Sequence, residues 1–133
     1  MIKAHGIVKL AIKREDSGDQ TILIEVTPEE VERIKKLAEI DDKCDNPIKF
    51  GTEEDDGKLF FKAHTKYDVD IYENAEITEE VAFTDIGCGS EVELAVTIKD
   101  GKYKGKKYQS AYLKAVNILN FVQAEEYNPF LEP

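Results

Sequence analysis

The chain has 133 residues, two cysteines, two histidines and a net charge of −10. A chain of this length buries about two thirds of its unfolded surface as one domain, and its isolated cysteines and histidines argue against a zinc site, so we expect neither a metal nor a cofactor. Because Lys3 and His5 interrupt the first apolar positions and no apolar run reaches the length of a membrane span, the sequence predicts a soluble, cytoplasmic protein.

The first strand is predicted at residues 2–13, where apolar and basic side chains alternate. The apolar side chains on the inward face are Ile2, Ala4, Val8, Leu10 and Ile12, and those on the basic outward face are Lys3, His5, Lys9 and Lys13. This alternation is typical of a half-buried strand. Ser17, Gly18 and Asp19 then predict a turn into a second strand at residues 21–26.

A helix is predicted at about residues 28–41. Thr27 is the expected N-cap, Pro28 the first helical residue, and Glu30 completes a capping box. An apolar stripe of helical period follows, made by Val31, Ile34, Leu37 and Ala38.

The middle of the chain predicts a polar connection around a short strand near Phe50, followed by a strand at residues 58–67. In that strand Leu59, Phe61 and Ala63 are expected to point inward, and the outward residues are Lys58, Phe60, Lys62, His64 and Lys66. Residues 68–80 hold six acids and no cation, which favours a solvated excursion in which Tyr72 packs.

The last two strands are predicted at residues 91–99 and at about 108–119, with the hairpin turn at Asp100-Gly101. The apolar residues Val116 and Ile118 continue the polar face of the return strand, which predicts either a bulge or cover from another element. Five or six strands and one helix favour a mainly β, OB-fold-like barrel at residues 1–122, followed by an acidic, aromatic tail at residues 123–133.

A lysine and tyrosine cluster at residues 99–114 is the strongest functional signal. It holds six lysines and one acid and carries +5, while the rest of the chain, with 12 cations and 27 acids, carries −15. Lysines interleaved with aromatic rings are typical of single-stranded nucleic-acid binding, because phosphates need positive charge and unstacked bases need flat rings. The candidate binding residues are Lys58, Phe60, Lys62, Lys66, Lys102, Tyr103, Lys104, Lys106, Lys107, Tyr108, Tyr112 and Lys114. A solvated hairpin tip whose lysines only keep it soluble is the alternative.

Catalysis finds no support in the motifs. The glycines around Cys88 lack the lysine and hydroxyl residue of a phosphate-binding loop, and neither histidine is placed as a base for the thiol. We therefore expect a binding protein and not an enzyme.

The C-terminal half resembles the OB-fold single-stranded DNA-binding proteins of bacteriophages, of the type found in short-tailed phages. The resemblance rests on Phe83-Thr-Asp-Ile-Gly-Cys-Gly-Ser-Glu-Val-Glu-Leu, the lysine hairpin, and Tyr112-Leu-Lys-Ala-Val-Asn-Ile-Leu. It implies sequence-independent binding of single-stranded DNA in phage replication, recombination and repair, within the cytoplasm of the host cell.

The same resemblance implies that the tail recruits replication or recombination proteins and competes with DNA for the groove. The residues of this chain that would do so are Tyr127, Phe130 and Leu131. The tail departs from the family pattern because it is short, only mildly acidic and does not end on phenylalanine.

Two other functions stay open at the level of sequence. One is an acidic protein-interaction module or DNA mimic that uses residues 68–80, and the other is an RNA-binding OB module, since stacking and phosphate contacts do not distinguish the two sugars. Whether the chain forms a homodimer is also left open.

Overall fold

The computed structural model describes residues 1–51 and 57–124. In these ranges the elements are β1 (Ile2–Lys13), β2 (Gln20–Val26), α1 (Pro28–Ala38), β3 (Ile48–Phe50), β4 (Leu59–Thr65), β5 (Asp70–Glu73), β6 (Glu76–Ile77), a 3₁₀ turn (Phe83–Asp85), β7 (Glu91–Tyr103) and β8 (Lys106–Asn120). Tyr127, Phe130 and Leu131 of the predicted tail lie outside the described residues. The described ranges contain no helix that is long and apolar enough to cross a membrane.

Five strands form a closed barrel, which confirms the predicted OB-fold-like architecture. The barrel order is β4-β2-β1-β7-β8, and a parallel contact between His64 of β4 and Tyr112 of β8 closes it. The other three strands extend the sheet beyond the barrel, with β3 beside β4 and the β5–β6 pair beside β8. Closure pairs the strands that an open sheet would leave as exposed edges.

The barrel core is built from the inward faces of these strands. Phe61, directly opposite Ile24 in the β2–β4 ladder, is fully buried, so the predicted register of β4 is confirmed. The helix adds Val31 and Ile34 to the same core. Side chains alternate between the two faces of a strand, so the two neighbours of each core residue lie on the outer surface.

The helix begins as predicted and ends earlier. Thr27 Oγ1 accepts a hydrogen bond from the Glu30 N–H at 3.1 Å, but the Glu30 carboxylate accepts from the backbone N–H of His5 at 2.7 Å and from Arg33. Glu30 thus fastens the helix to β1 as well as marking its first turn. The helix stops at Ala38, short of the predicted residue 41, because Glu39 takes a left-handed C-cap conformation.

The prediction that Leu10 and Ile12 point into the core is wrong. The β1–β2 register shifts between Val8 and Leu10, so the residues beyond this bulge exchange faces. Leu10 and Ile12 are 36% and 49% exposed, and Ala11 packs against the core instead.

The predicted turn at Asp100-Gly101 is also wrong. Both residues lie inside β7, and the turn is Lys104-Gly105, where both residues have positive φ, at 51° and 78°. Two consecutive positive φ values are typical of the tight turn that matches the twist of a hairpin. The strands of the hairpin are therefore longer than the predicted ones, and β8 starts at Lys106.

The predicted bulge in the last strand is confirmed. Val96 pairs with Leu113 and Ala95 with Ala115, so Lys114 is an extra residue in β8. Beyond it Val116 and Ile118 turn into the core.

The acidic segment at residues 68–80 is largely exposed, as predicted, but part of it is paired into the sheet. It forms the β5–β6 hairpin, in which β5 pairs in parallel with β8 and Ile71 is buried. Tyr72 is half-buried in this hairpin, opposite Asn117 of β8. The segment thus adds an acidic extension to the sheet.

Candidate nucleic-acid interface

One outer surface of the barrel runs from the second half of β1 to the β7–β8 hairpin, and we call it the groove face. Leu10 is paired with Leu23, and Leu23 with Lys62, across β1, β2 and β4. The Lys62 N–H donates to the Pro47 carbonyl at 2.9 Å, and the Gln109 N–H donates to the Asp45 carbonyl at 2.8 Å, so the segment before β3 bridges β4 and β8.

The groove face consists of outward residues of β1, β2, β3, β4 and the hairpin. Its members are Lys9, Leu10, Ile12, Thr21, Leu23, Lys49, Phe50, Phe60, Lys62, His64, Lys99, Tyr103, Lys106, Tyr108 and Tyr112. None of these positions is acidic, but Glu25 lies directly opposite Phe60 on the same outer side of β2, and Asp41 and Asp45 line the depression beside Tyr103 and Tyr108.

The carboxylates at the border of the groove face are paired with lysines. Glu25 Oε1 lies 3.2 Å from Lys58 Nζ, and Asp45 Oδ1 lies 2.6 Å from Lys49 Nζ. The hydrogen bond from Lys49 is the main reason why the pKa of Asp45 is below its ordinary value. The positive character of this face is thus only partly neutralised at its edges.

Three lysines of the surface lie over aromatic rings. Lys9 Nζ is 4.5 Å from the centre of the Phe60 ring, Lys99 Nζ is 5.3 Å from that of Tyr112, and Lys104 Nζ, at the hairpin tip, is 5.4 Å from that of Tyr103. Such pairs are weakly attractive at exposed sites. Each pair holds a positive charge and a flat ring side by side, which is the combination that one nucleotide requires.

The rings differ in how accessible they are. Tyr103 is 68% exposed, Tyr112 is half-buried, and Phe60 is only 4% exposed. A base reaches the Phe60 ring only after the Lys9 side chain moves away. Tyr112 also packs against His64 with 5.0 Å between ring centres, so the barrel seam itself presents an aromatic surface.

An apolar shelf adjoins the lysines at the β1–β3 end of the groove face, and sequence reasoning did not identify it. Leu10, Ile12 and Leu23 line it together with Phe50 and Phe60. Phe50 is 78% exposed although it lies in a strand. Leu10 and Ile12 fit the inward alternation of β1, and only the bulge places them on this surface. The rings and methyl groups of the shelf offer further contact area for bases.

The hairpin is attached to the barrel by Gln109, which is 7% exposed. Its side-chain amide donates to Asp100 Oδ1 at 3.0 Å and to the Glu39 carbonyl at 3.3 Å, and its oxygen accepts from the Asp41 N–H at 2.8 Å. A buried amide that is satisfied in this way fixes its neighbours, since losing one partner leaves a desolvated polar group. The hairpin base therefore has a defined position relative to the helix C-terminus.

The predicted binding residues do not all meet on the groove face. Those that do are Phe60, Lys62, Tyr103, Lys106, Tyr108 and Tyr112, with Lys104 at the tip. Lys58 lies at the start of β4 beside Glu25, and Lys66 is exposed just beyond the end of β4.

Lys102 and Lys107 are directly opposite each other in the ladder, on the hairpin face that Tyr103 and Tyr108 do not share. Lys107 Nζ lies 3.6 Å from Asp41 Oδ2. The lysines of the cluster are therefore divided between the two faces of one hairpin.

Lys114 is separated from the other predicted residues by the bulge in β8. It lies in a depression with Lys3, Asp70, Tyr72 and Glu93, on an outer surface formed by β1, β5, β7 and β8. We call this surface the distal face; its remaining lining residues are Met1, Ala75, Ala95, Ala115 and Asn117.

The described chain ends beside the barrel. The Gly87 N–H donates to the Val122 carbonyl at 2.8 Å, and the Ala124 N–H donates to the Asp85 carbonyl at 2.9 Å. Ser90 Oγ both donates to the Val122 carbonyl and accepts from the Val122 N–H. Gly87 and Ser90 thus anchor the segment that precedes residue 125.

No protein-family model matches the sequence, and no curated protein matches it. Solved structures with the same fold do match. The single-stranded DNA-binding protein of bacteriophage Enc34, in complex with single-stranded DNA, has a TM-score of 0.67 and 18% identity over 96% of this chain and 88% of that chain. The single-stranded DNA-binding protein encoded by bacteriophage T7 has a TM-score of 0.68 and 15% identity over 99% of this chain and 97% of that chain. The resemblance to the phage single-stranded DNA-binding proteins is therefore confirmed at the level of the fold.

Proposed function

We propose that this chain binds single-stranded DNA without sequence preference, through the groove face. The observation that carries the proposal is the separation of charge: a protein with a net charge of −10 presents one surface of lysines and rings, and the acids beside it, Glu25, Asp41 and Asp45, are each paired with a lysine. An acidic protein repels a polyanion over most of its surface, so binding has to be local.

The groove face suits a single strand better than a duplex. Its rings need unstacked bases, which a duplex does not offer, and every base has a flat face, so stacking is tolerant of sequence. Lysines lie over the rings of Phe60, Tyr112 and Tyr103, so the surface offers a positive charge beside a flat ring at three places.

The proteins that share the fold support the same function. The Enc34 and T7 proteins bind single-stranded DNA according to their descriptions. In the OB-fold, oligonucleotides bind on the face of the second and third barrel strands and on the two hairpin loops beside it. In this chain those barrel strands are β2 and β4, and the β7–β8 hairpin is one of the loops.

The biological role that we propose is protection or handling of single strands during phage DNA replication, recombination or repair. Residues 125–133 contribute Tyr127, Phe130 and Leu131, together with three acids and no cation. We propose that this tail recruits replication or recombination proteins and competes with DNA. Deleting residues 125–133 is then expected to tighten DNA binding at low salt and to abolish recruitment.

The decisive experiment is a titration of the intact chain with a labelled oligo-dT, read by anisotropy and by the quenching of tyrosine fluorescence. Binding at low salt with tyrosine quenching is expected, because the chain has no tryptophan and its rings are the platforms. Unlabelled DNA and RNA of equal length serve as competitors, and stronger competition by RNA would assign an RNA-binding function instead.

A basic protein is the control partner in the same titration. Binding to it without binding to oligo-dT would indicate a DNA mimic that uses residues 68–80. That outcome would overturn the proposal.

A further inference from the structure

Gly101 lies beneath the ring of Tyr108. The two residues are directly opposite each other in the β7–β8 ladder. A Cβ atom built on Gly101 would lie 2.3 Å from Cζ, 2.5 Å from Oη and 2.8 Å from Cε2 of Tyr108. The ring thus occupies the space that any side chain at position 101 would need.

The backbone does not explain why this position is glycine. Gly101 is not among the glycines with positive φ, whereas Gly105, in the turn, has a φ of 78°. An alanine at position 101 therefore needs no positive φ, and the three atoms nearest to its Cβ would all belong to the Tyr108 side chain. Because position 101 has no side chain, the ring of Tyr108 can lie against the backbone there.

A buried side-chain hydrogen bond on the other face of the hairpin fixes the register of β7 and β8 next to Gly101. Gln109 donates to Asp100 Oδ1 at 3.0 Å, and these two residues are the pair next to Gly101 and Tyr108. A shift of β8 along β7 would break this buried contact, so Tyr108 stays in register with the glycine.

The Tyr108 ring forms part of the wall of a surface depression of about 550 Å³. Tyr103 also lines it, together with three lysines and with Asp41 and Asp45, whose carboxylates are paired with Lys107 and Lys49. The depression thus offers two rings and three cations, Lys43, Lys106 and Lys107, beside two acids. A ring displaced from Gly101 would change the wall of this depression.

We propose that Gly101 is a positioning residue, which holds the Tyr108 ring flat on the hairpin so that one nucleotide of a single strand binds in the adjoining depression. The inference rests on the proposed function. It adds a role for an Asp-Gly pair whose sequence suggests only a turn.

The test is a double-mutant cycle with Gly101→Ala, Tyr108→Leu and both together, each titrated with oligo-dT. Gly101→Ala alone should weaken binding roughly tenfold, which is the effect of losing one stacking ring. When Tyr108→Leu is already present, Gly101→Ala should cause almost no further loss of affinity. Ala95→Gly, on the same strand but on the distal face, is the control for an exchange of alanine and glycine and should bind normally. Equal effects of Gly101→Ala in both backgrounds, or no effect in either, would overturn the proposal.

A second measurement separates this inference from the proposed function and needs no substitution at Gly101. The Hα proton of Gly101 that takes the direction of a Cβ points at the Tyr108 ring, so its NMR resonance should be shifted upfield and should return to the usual range in Tyr108→Leu. If the shift is present but the intact chain does not bind oligo-dT, the contact between Gly101 and Tyr108 is confirmed and the proposed function is wrong. If the shift is absent, this contact is wrong whatever the chain binds.

Discussion

The groove face and the distal face are two outer surfaces of the same barrel, and they share β1 and β8. The groove face combines lysines, rings and an apolar shelf, whereas the distal face mixes Lys3 and Lys114 with Asp70 and Glu93. The β5–β6 hairpin extends the sheet on the distal side and adds further acids. We therefore expect a polyanion to contact the groove face and not the distal face.

The contrast shows that charge is sorted by face and not by segment. Lys114 belongs to the lysine cluster in sequence, yet the bulge in β8 puts it among acids. Lys9 and Lys62 are distant from the cluster in sequence, yet they line the groove face. Reversed charges, salt dependence and removal of a ring test the difference between the two faces, and Glu30→Gln tests the contact between α1 and β1.

The largest effect is expected from reversing two charges of the groove face, in Lys62→Glu/Lys106→Glu. At about 50 mM salt each phosphate contact on a single strand is worth roughly eightfold in affinity, so losing two should weaken oligo-dT binding by roughly 60-fold. The matched control is Lys3→Glu/Lys114→Glu on the distal face, which carries the same charge change. An equal loss of affinity in both variants would remove the distinction between the faces.

The salt dependence of the unmodified chain measures the same surface. If four groove-face lysines contact phosphates, affinity should fall roughly 50-fold between about 50 and 200 mM salt, which is a log–log slope of about −3. The titration at four or five salt concentrations gives the slope directly. A slope near zero would show that the lysines only solubilise the hairpin.

Removing one ring is expected to have a smaller effect. Tyr112→Ala should cost about 1–3 kcal/mol of binding free energy if a base stacks on this ring. Tyr72→Ala, a half-buried tyrosine of the distal face, is the control for lost packing. Thermal unfolding of both variants distinguishes the two roles, since a ring that only packs lowers the melting temperature and leaves affinity unchanged.

The smallest effect concerns stability, at the contact between α1 and β1. Burial raises the pKa of Glu30, but hydrogen bonds from Arg33 and from the His5 N–H outweigh it and hold the pKa below its ordinary value. Because the folded pKa is lowered, the carboxylate stabilises the fold above the pKa of an unfolded glutamate, about 4.3, and this contribution is lost as the pH falls through the folded pKa.

Glu30→Gln should therefore have a smaller free energy of unfolding than the unmodified chain at neutral pH. That free energy should also fall less on acidification. Urea unfolding at several pH values measures both differences. Affinity for oligo-dT at neutral pH should be unchanged, because Glu30 is not part of the groove face. If the variant loses as much stability on acidification as the unmodified chain, protonation of Glu30 does not cause that loss.

Local patterns were sufficient where the chemistry is local. The N-cap at Thr27 and the inward alternation of β7 depend on neighbours in sequence, and both are confirmed. The bulge in β8 was also predictable, since Val116 and Ile118 break the alternation of Ala111 and Leu113. The bulge in β1 was not, because Leu10 and Ile12 continue an alternation that the backbone interrupts.

Hydrophobic period and capping chemistry depend on residues a few positions apart, so the amino-acid sequence is enough to predict the strands of the barrel, the helix α1 and a basic, aromatic hairpin. It is not enough to predict which lysines share a surface, because the bulges in β1 and β8 and the parallel closure of β4 on β8 depend on distant strands. The same distant pairing placed Gly101 under Tyr108. A face is a property of strands brought together from far apart in the chain, and no local pattern contains it.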